Sequence, residues 1–386
     1  MSLEGVVDLG GASGKNAGHA ISLQVWSREM SGTRELEFRV SSTTPGFPVS
    51  IRGGWYKLST IRFQSRDLAS ALEAIAKVFQ KHAAEWVEDD SHRRKLREDL
   101  HGPSQVLARL VLPPEAMELL VARCPADGRL SSVVTIYADC WDIPWEVLFL
   151  GKVNRGGGFL CERALVVRVD LEPRLSSGVQ VTGDQEQPAV SSICTLIGGT
   201  GWPCDERGPG SCGKPKECER EWTSSTNRVV RNPTKSEFCD VSSKSQVCQI
   251  VCHCTASNGL RLGPGEDFGH PEIDLYGFSA PSSLICLHAC ESARPVDAAA
   301  SSNGGVPPES AGVPLALALH RSSGASVFAS MMDLPRCAGC AMAKAVAESV
   351  GKGASTWAEV QQRLIHIAPP FWLGYLFVGD YDRPFG

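Results

Sequence analysis

Cys290 and His253 each close an apolar run: Ser283 to Ser292 reads SLICLHACES, and Val247 to His253 reads VCQIVCH. A deprotonated thiol is a strong nucleophile, and an imidazole is a base suited to taking its proton near neutral pH. The β-forming and small apolar residues before Cys290 predict a strand buried on both faces, and the histidine run predicts a second one. The interval between the two runs suits one crossover connection. Two neighbouring parallel strands would then carry an imidazole and a thiol to one sheet edge, where open α/β sheets place their chemistry. The chemistry available to such a pair is acyl transfer, with Cys290 attacking a carbonyl and His253 moving the proton. Taken alone, Cys290 reads as an inert core thiol, because free cysteines are usually small buried hydrophobes.

Further motifs lie around this pair. They are Cys252-His253-Cys254, Leu287-His288-Ala289-Cys290-Glu291-Ser292, Asp142-Ile-Pro-Trp-Glu146, Gly324-Ala-Ser-Val-Phe-Ala-Ser330 and Phe371-Trp-Leu-Gly-Tyr-Leu-Phe-Val-Gly379. In their order along the chain they resemble the CHAT family of caspase-like cysteine peptidases, relatives of separases, legumains and caspases. The resemblance covers roughly residues 65 to 386 and, with the paired histidine, reverses the inert-thiol reading of Cys290. It implies a peptidase using Cys290 and His253 as a catalytic dyad on a protein substrate.

By the same resemblance, the oxyanion would be held by the main-chain amides of Cys290 and Cys254. Relatives carry glycine at the second of these positions, so the Cβ of Cys254 narrows the approach. His288 shares the strand face of Cys290 and is expected to reach towards the pocket for the residue before the scissile bond. Asp333 matches a frequent acid of that family and is a candidate partner for a basic substrate side chain, with a plain exposed loop aspartate as its alternative. Glu291 is a third candidate for substrate binding, with capping of the following loop as its alternative. The resemblance also implies control through the small, polar, Pro/Gly-rich loop Arg294 to Ala311, by an activating protease or a docking regulator. It suggests a setting in bacterial defence or cell death.

The elements that must hold these residues alternate along the chain. Ile21-Leu23-Val25 and Leu36-Phe38-Val40 predict half-buried strands. Leu68, Leu72, Ile75 and Phe79 recur at helical spacing behind Asp67. Helices are expected over Ser104 to Leu112 and Glu115 to Arg123, with the charged stretch Glu88 to His101 as a solvated helix face. Strands follow at Val133 to Ala138, Ala164 to Val169 and Ser192 to Ile197, with a polar linker from Glu172 to Pro188. The Trp141 to Glu146 stretch reads as a packed structural corner. After Cys290 come helix Val313 to His320, strand Ala325 to Met331, helices Ala338 to Val350 and Ser355 to Ile367, and a closing strand. The alternation predicts an α/β fold, a caspase-like three-layer sandwich with a mostly parallel central sheet plus an N-terminal β-rich segment. The expected divisions are residues 1–64, an accessory segment; 65–183, the first half of the CHAT region; and 184–386, its catalytic half.

Composition narrows the remaining classes. A net charge of -5 over 386 residues argues against a direct nucleic-acid binder. No apolar run approaches the ~20 residues of a membrane span, and the N-terminus lacks the apolar core of a signal peptide, so a cytoplasmic protein without membrane association is expected. Fifteen cysteines, an odd number spread over a long chain, do not form a secreted disulfide framework. Cys204, Cys212 and Cys218 lack paired Cys-x-x-Cys knuckles. Cys337 and Cys340 have that spacing with no second pair, so no metal and no cofactor is expected. Gly10 to Asn16 lacks the hydroxyl and first glycine of a phosphate loop. The alternatives to a peptidase are a catalytically silent scaffold of the same fold and a metal-bound binding module.

Overall fold

The computed structural model describes residues 20–41, 54–84, 90–125, 130, 132–151, 157–170, 193–198, 228–254, 259–276, 284–290, 292–293, 313–332, 334, 336–367 and 370–385. The chain opens with β1 (Ala20–Met30), β2 (Thr33–Ser41) and β3 (Trp55–Gln64), followed by α1 (Ser65–Ala84), α2 (Asp90–Val111) and α3 (Pro114–Arg123). Next come β4 (Val133–Ala138), the short pair β5 (Phe149–Leu150) and β6 (Gly158–Phe159), α4 (Leu160–Arg163) and β7 (Leu165–Asp170). The second half holds β8 (Ile193–Ile197), β9 (Arg228–Arg231), α5 (Lys235–Lys244), β10 (Val247–Val251), β11 (His253–Cys254), β12 (Leu260–Gly263), β13 (Glu266–Phe268) and α6 (His270–Tyr276). It ends with β14 (Leu284–His288), α7 (Leu315–Ser323), β15 (Ser326–Ser330), α8 (Arg336–Gly351), α9 (Trp357–Ile367) and β16 (Tyr375–Val378).

Among the described residues eleven strands form one sheet in the order β3-β2-β1-β4-β7-β16-β15-β14-β10-β8-β9. Strands β1, β4, β7 and β16 run parallel to one another, as do β15, β14, β10, β8 and β9. The two groups meet antiparallel at β15 and β16, and β2 and β3 extend the far edge as antiparallel strands. The final strand therefore joins the first group of strands to the second. The second group explains the continuous apolar runs seen in sequence: every residue of β8, β10, β14 and β15 is buried, as strands covered on both faces require.

Side-chain parity places the covering layers. Cys248 points to α5, where Ser242 Oγ lies 3.3 Å from its sulfur. Val251 and His288 point the other way, to α8. A Cβ built on Gly339 of α8 would come within 3.2 Å of His288 O, so glycine lets this helix rest directly on the sheet. On that same side the Trp357 ring of α9 packs against Phe328 and stacks on Phe377. Helices on both faces of a mostly parallel sheet make the three-layer sandwich expected from the sequence.

Several elements differ from the sequence reading. The charged stretch and the helix expected from Ser104 form one helix, α2, with Pro103 inside it. Leu96, Leu100, Leu107 and Val111 form its buried stripe, and burial of such side chains, about 1.5–3 kcal/mol each, holds the helix across the proline. Strand β3 escapes the reading because its burial does not alternate cleanly. Helix α5 has few apolar residues but a capping box: the Thr234 hydroxyl accepts from Glu237 N at 3.2 Å, and Glu237 Oε2 accepts from Thr234 N at 2.9 Å.

Candidate active site

Strands β10 and β14 are parallel neighbours in which Ile250 pairs with Leu287 and Val251 with His288. Two residues further along each chain lie His253 and Cys290. The register therefore brings the two chain segments to the same edge of the sheet, each two residues beyond the last pair. Lower down, His288 Nε2 meets Gln249 Oε1 of the neighbouring strand at 3.2 Å. His253 is exposed and Cys290 is half-buried.

Each side chain is held from outside its own strand. His253 and Cys254 leave the main sheet and pair with β12, His253 opposite Arg261 and Cys254 opposite Leu260. This small sheet lies across the end of β8. Gly198 donates its N–H to Val251 O at 3.0 Å, and a Cβ at Gly198 would stand 2.4 Å from Arg261 O and 2.9 Å from Leu262 Cα. Gly198→Ala is expected to push β12, and with it His253, away from the rim. The expected loss is about 1–3 kcal/mol of stability, together with turnover, and a urea titration alongside kinetics checks it. On the other strand the turn after Cys290 is pinned at both sides. Ala293 N donates to Ser330 O of β15 at 2.8 Å, and Ala316 N of α7 to Ser292 O at 3.3 Å.

The Cys290 sulfur meets the backbone just ahead of α8. Leu334 N donates to Sγ at 3.4 Å, and Leu334 O lies 3.8 Å from it. The amide of Leu334 can donate to a thiolate and its carbonyl can accept from a thiol, with the amide the nearer of the two. Other thiols have a different environment. Burial pushes Cys248 and Cys252 up to about 12 and Cys194 up to about 11, and it pushes Cys286 well above the ordinary range. Half-buried Cys239 is also pushed up to about 11 by burial, so exposure alone does not mark a reactive thiol. Cys290 combines partial exposure with an amide donor.

Beneath the rim lies a polar row that the sequence reading assigned differently. The motif directs His288 towards a substrate pocket, but in the structure it is 2% exposed. Its Nδ1 meets the Tyr375 hydroxyl at 3.2 Å and its Nε2 meets Gln249 Oε1 at 3.2 Å. An amide oxygen only accepts, so Nε2 carries the proton and Nδ1 accepts from Tyr375. Burial pushes His288 down to about 3, which keeps the ring neutral. Both nitrogens are engaged, and His288 forms the floor under Cys290. Tyr375 is pushed well above its usual value, first by burial and then by the neighbouring Cys290, Cys286 and Cys340 thiols.

Glu291 and Asp333, together with the loop Arg294 to Ala311, the trio Cys204, Cys212 and Cys218, and the Cys337 side chain, lie outside the described residues. Among the described residues no group of three or more His, Cys, Asp or Glu is placed to hold a metal ion, and no helix is long and apolar enough to cross a membrane. The sequence reading missed Leu334, Gln249 and Tyr375. A lone glutamine in the apolar run VCQIV was the one available signal, since a buried amide needs a partner.

The sheet covered on both faces, its two groups of parallel strands and the antiparallel junction at the closing strand make a caspase-like fold. Comparison with solved structures agrees. The crystal structure of the Saccharomyces cerevisiae separase–securin complex aligns with a TM-score of 0.52 at 9% identity, over 94% of this chain and 30% of that chain. A second crystal structure of that complex aligns at 0.49, with the same identity and coverage. The region shared is thus less than a third of the separase-complex chain. No protein-family profile and no curated protein sequence matches the chain.

Proposed function

We propose that the chain is a CHAT-type cysteine endopeptidase acting on a protein substrate. The observation that supports this reading is the register of β10 and β14, which ends with Val251 opposite His288, two residues before an exposed His253 and a half-buried Cys290. In the proposed reaction His253 takes the thiol proton and the sulfur attacks the scissile carbonyl, whose π electrons move onto oxygen. The backbone amides of Cys290 and Cys254 stabilise that oxyanion. The C–N bond then breaks as the imidazolium returns its proton to the leaving amine. Water attacks the thioester with His253 as base, which releases the acid and restores the thiol.

Residues 65–183 and 184–386 would act as one unit through the shared sheet, to which the proposed accessory segment, residues 1–64, adds β1, β2 and β3. The loop Arg294 to Ala311 would gate the site by cleavage or by docking of a regulatory protein. The separase structure that aligns at a TM-score of 0.52 is a complex with securin, which supports a protein partner here. We place the enzyme in the cytoplasm, in a defence or cell-death setting, and propose that Asp333 and Glu291 contribute to substrate binding. A peptidyl acyloxymethyl ketone tests the reading. Its label should be lost in Cys290→Ala and weakened in His253→Ala, and labelling that persists in Cys290→Ala sinks it. Sequencing the new N-termini in a treated peptide library then gives the preferred cleavage site. Cys254, where relatives carry glycine, favours a second reading, a silent scaffold of the same fold, in which neither labelling nor cleavage would occur.

A further inference from the structure

Glu146 and Arg168 are 4% and 2% exposed, a buried ion pair at the corner formed by Asp142 to Glu146. Such a pair is weak evidence for stability, because apolar replacement of both partners is often neutral or stabilising. Its contacts point to another use. Arg168 Nε donates to Glu146 Oε1 at 2.9 Å, and Nη2 donates to the second carboxylate oxygen. Arg168 Nη1 reaches Trp141 O, and Nη2 also reaches Met331 Sδ, each at 3.3 Å.

Met331 directly follows β15 and is fixed on its other sides. Its N–H donates to Gly374 O at 2.8 Å. Ser330 beside it accepts Ala293 N–H, just beyond Cys290, at 2.8 Å. The Ser330 hydroxyl accepts from Met332 N at 3.2 Å and donates to Met332 O at 2.9 Å. A few residues later Leu334 N donates to Cys290 Sγ at 3.4 Å. The guanidinium thus holds the side chain of Met331, and three positions further along the chain the amide of Leu334 touches the sulfur.

We infer that Glu146 and Arg168 are positioning residues for Cys290, acting through Met331 on the backbone at Leu334. The inference rests on the reading of Cys290 as the nucleophile. It gives the Asp142 to Glu146 corner a role in the chemistry of the distant half of the chain. A planar guanidinium holds the carboxylate by two parallel bonds and still has an N–H for the thioether, which an apolar pair of equal volume would not supply.

The test uses the full chain carrying Glu146→Leu together with Arg168→Met, which leaves no orphan charge. Iodoacetamide alkylation of Cys290, read by mass spectrometry of its peptide across pH, reports on the sulfur without requiring turnover. The midpoint is expected to rise by about one pH unit, because losing the amide donor disfavours the thiolate. On a cleaved peptide kcat should fall about tenfold with KM within about twofold, as expected for a displaced nucleophile. A folded double variant with the wild-type alkylation profile overturns the inference. Should that variant lose its fold, Met331→Leu serves instead, since it is close in volume, keeps the ion pair and removes the sulfur acceptor. A smaller rise is expected there, and an unmoved profile overturns the inference. Cleavage that survives Cys290→Ala overturns the peptidase reading itself, a result separate from the alkylation profile.

Discussion

Cys290→Ala is expected to lower kcat on a cleaved peptide by about 10,000-fold or more, His253→Ala to lower it by about 1,000-fold or more, and the double variant to fare no worse than Cys290→Ala. Without the sulfur no acyl-enzyme forms, so the imidazole has no proton to move and its removal costs nothing further. Without the imidazole the thiol attacks only through its small thiolate fraction, and the leaving amine departs unprotonated. Stability should change little. His253 is exposed and Cys290 is half-buried, so both variants should unfold within about 1 kcal/mol of the parent in urea. The pattern of the three kinetic losses is the informative readout. Multiplying losses would mean that the two residues act independently and would count against the proposed dyad.

The sequence carried the strands of the sheet well because their signals are local. Apolar strands ending in functional residues mark the sheet edge, and the length between them fixes the crossover. The same reading failed one layer down. His288 sits at a position where parity fixes the face but not the depth, and depth depends on what packs above it. Here α8 packs so close that a Cβ on Gly339 would stand 3.2 Å from His288 O, and the glycine lets the helix lie over this part of the sheet. The partners of His288, Gln249 and Tyr375, come from two other strands, β10 and β16, one of them at the far end of the chain. Arg168 is similar: within LVVRVD it reads as an ordinary charged strand residue, and only the sheet order shows that it faces Glu146 and Met331. Strand β3 was missed for a different reason, because an outer strand with mixed burial lacks the period of two that sequence reading depends on.

The buried ring of His288 should make the fold acid-sensitive well above the range in which carboxylates titrate. Its folded value is near 3 against an ordinary 6.5, with burial as the cause. Between those values the unfolded chain binds a proton that the folded chain does not, so stability rises with pH through the window. The contribution is complete above about pH 6.5 and is lost as pH falls towards 3. From pH 7 to pH 5 the loss is about 2 kcal/mol from this residue alone, a sizeable part of a typical 5–15 kcal/mol total. His320 and His101 are also held below their ordinary value by burial and act in the same direction. Glu37, Glu272, Glu359 and Asp99 are held low by hydrogen bonds and neighbouring cations, so their loss comes at lower pH. His288→Gln keeps a polar side chain between Gln249 and Tyr375 but removes the proton site. Urea midpoints at pH 7 and pH 5 should converge in this variant by the same ~2 kcal/mol, whatever constant destabilisation the altered shape brings. Since His320 and His101 remain in both proteins, the difference between their pH slopes belongs to His288. Equal slopes would mean that the ring is hydrated or charged in the folded state, and that Cys290 stands above an open polar floor rather than a sealed one.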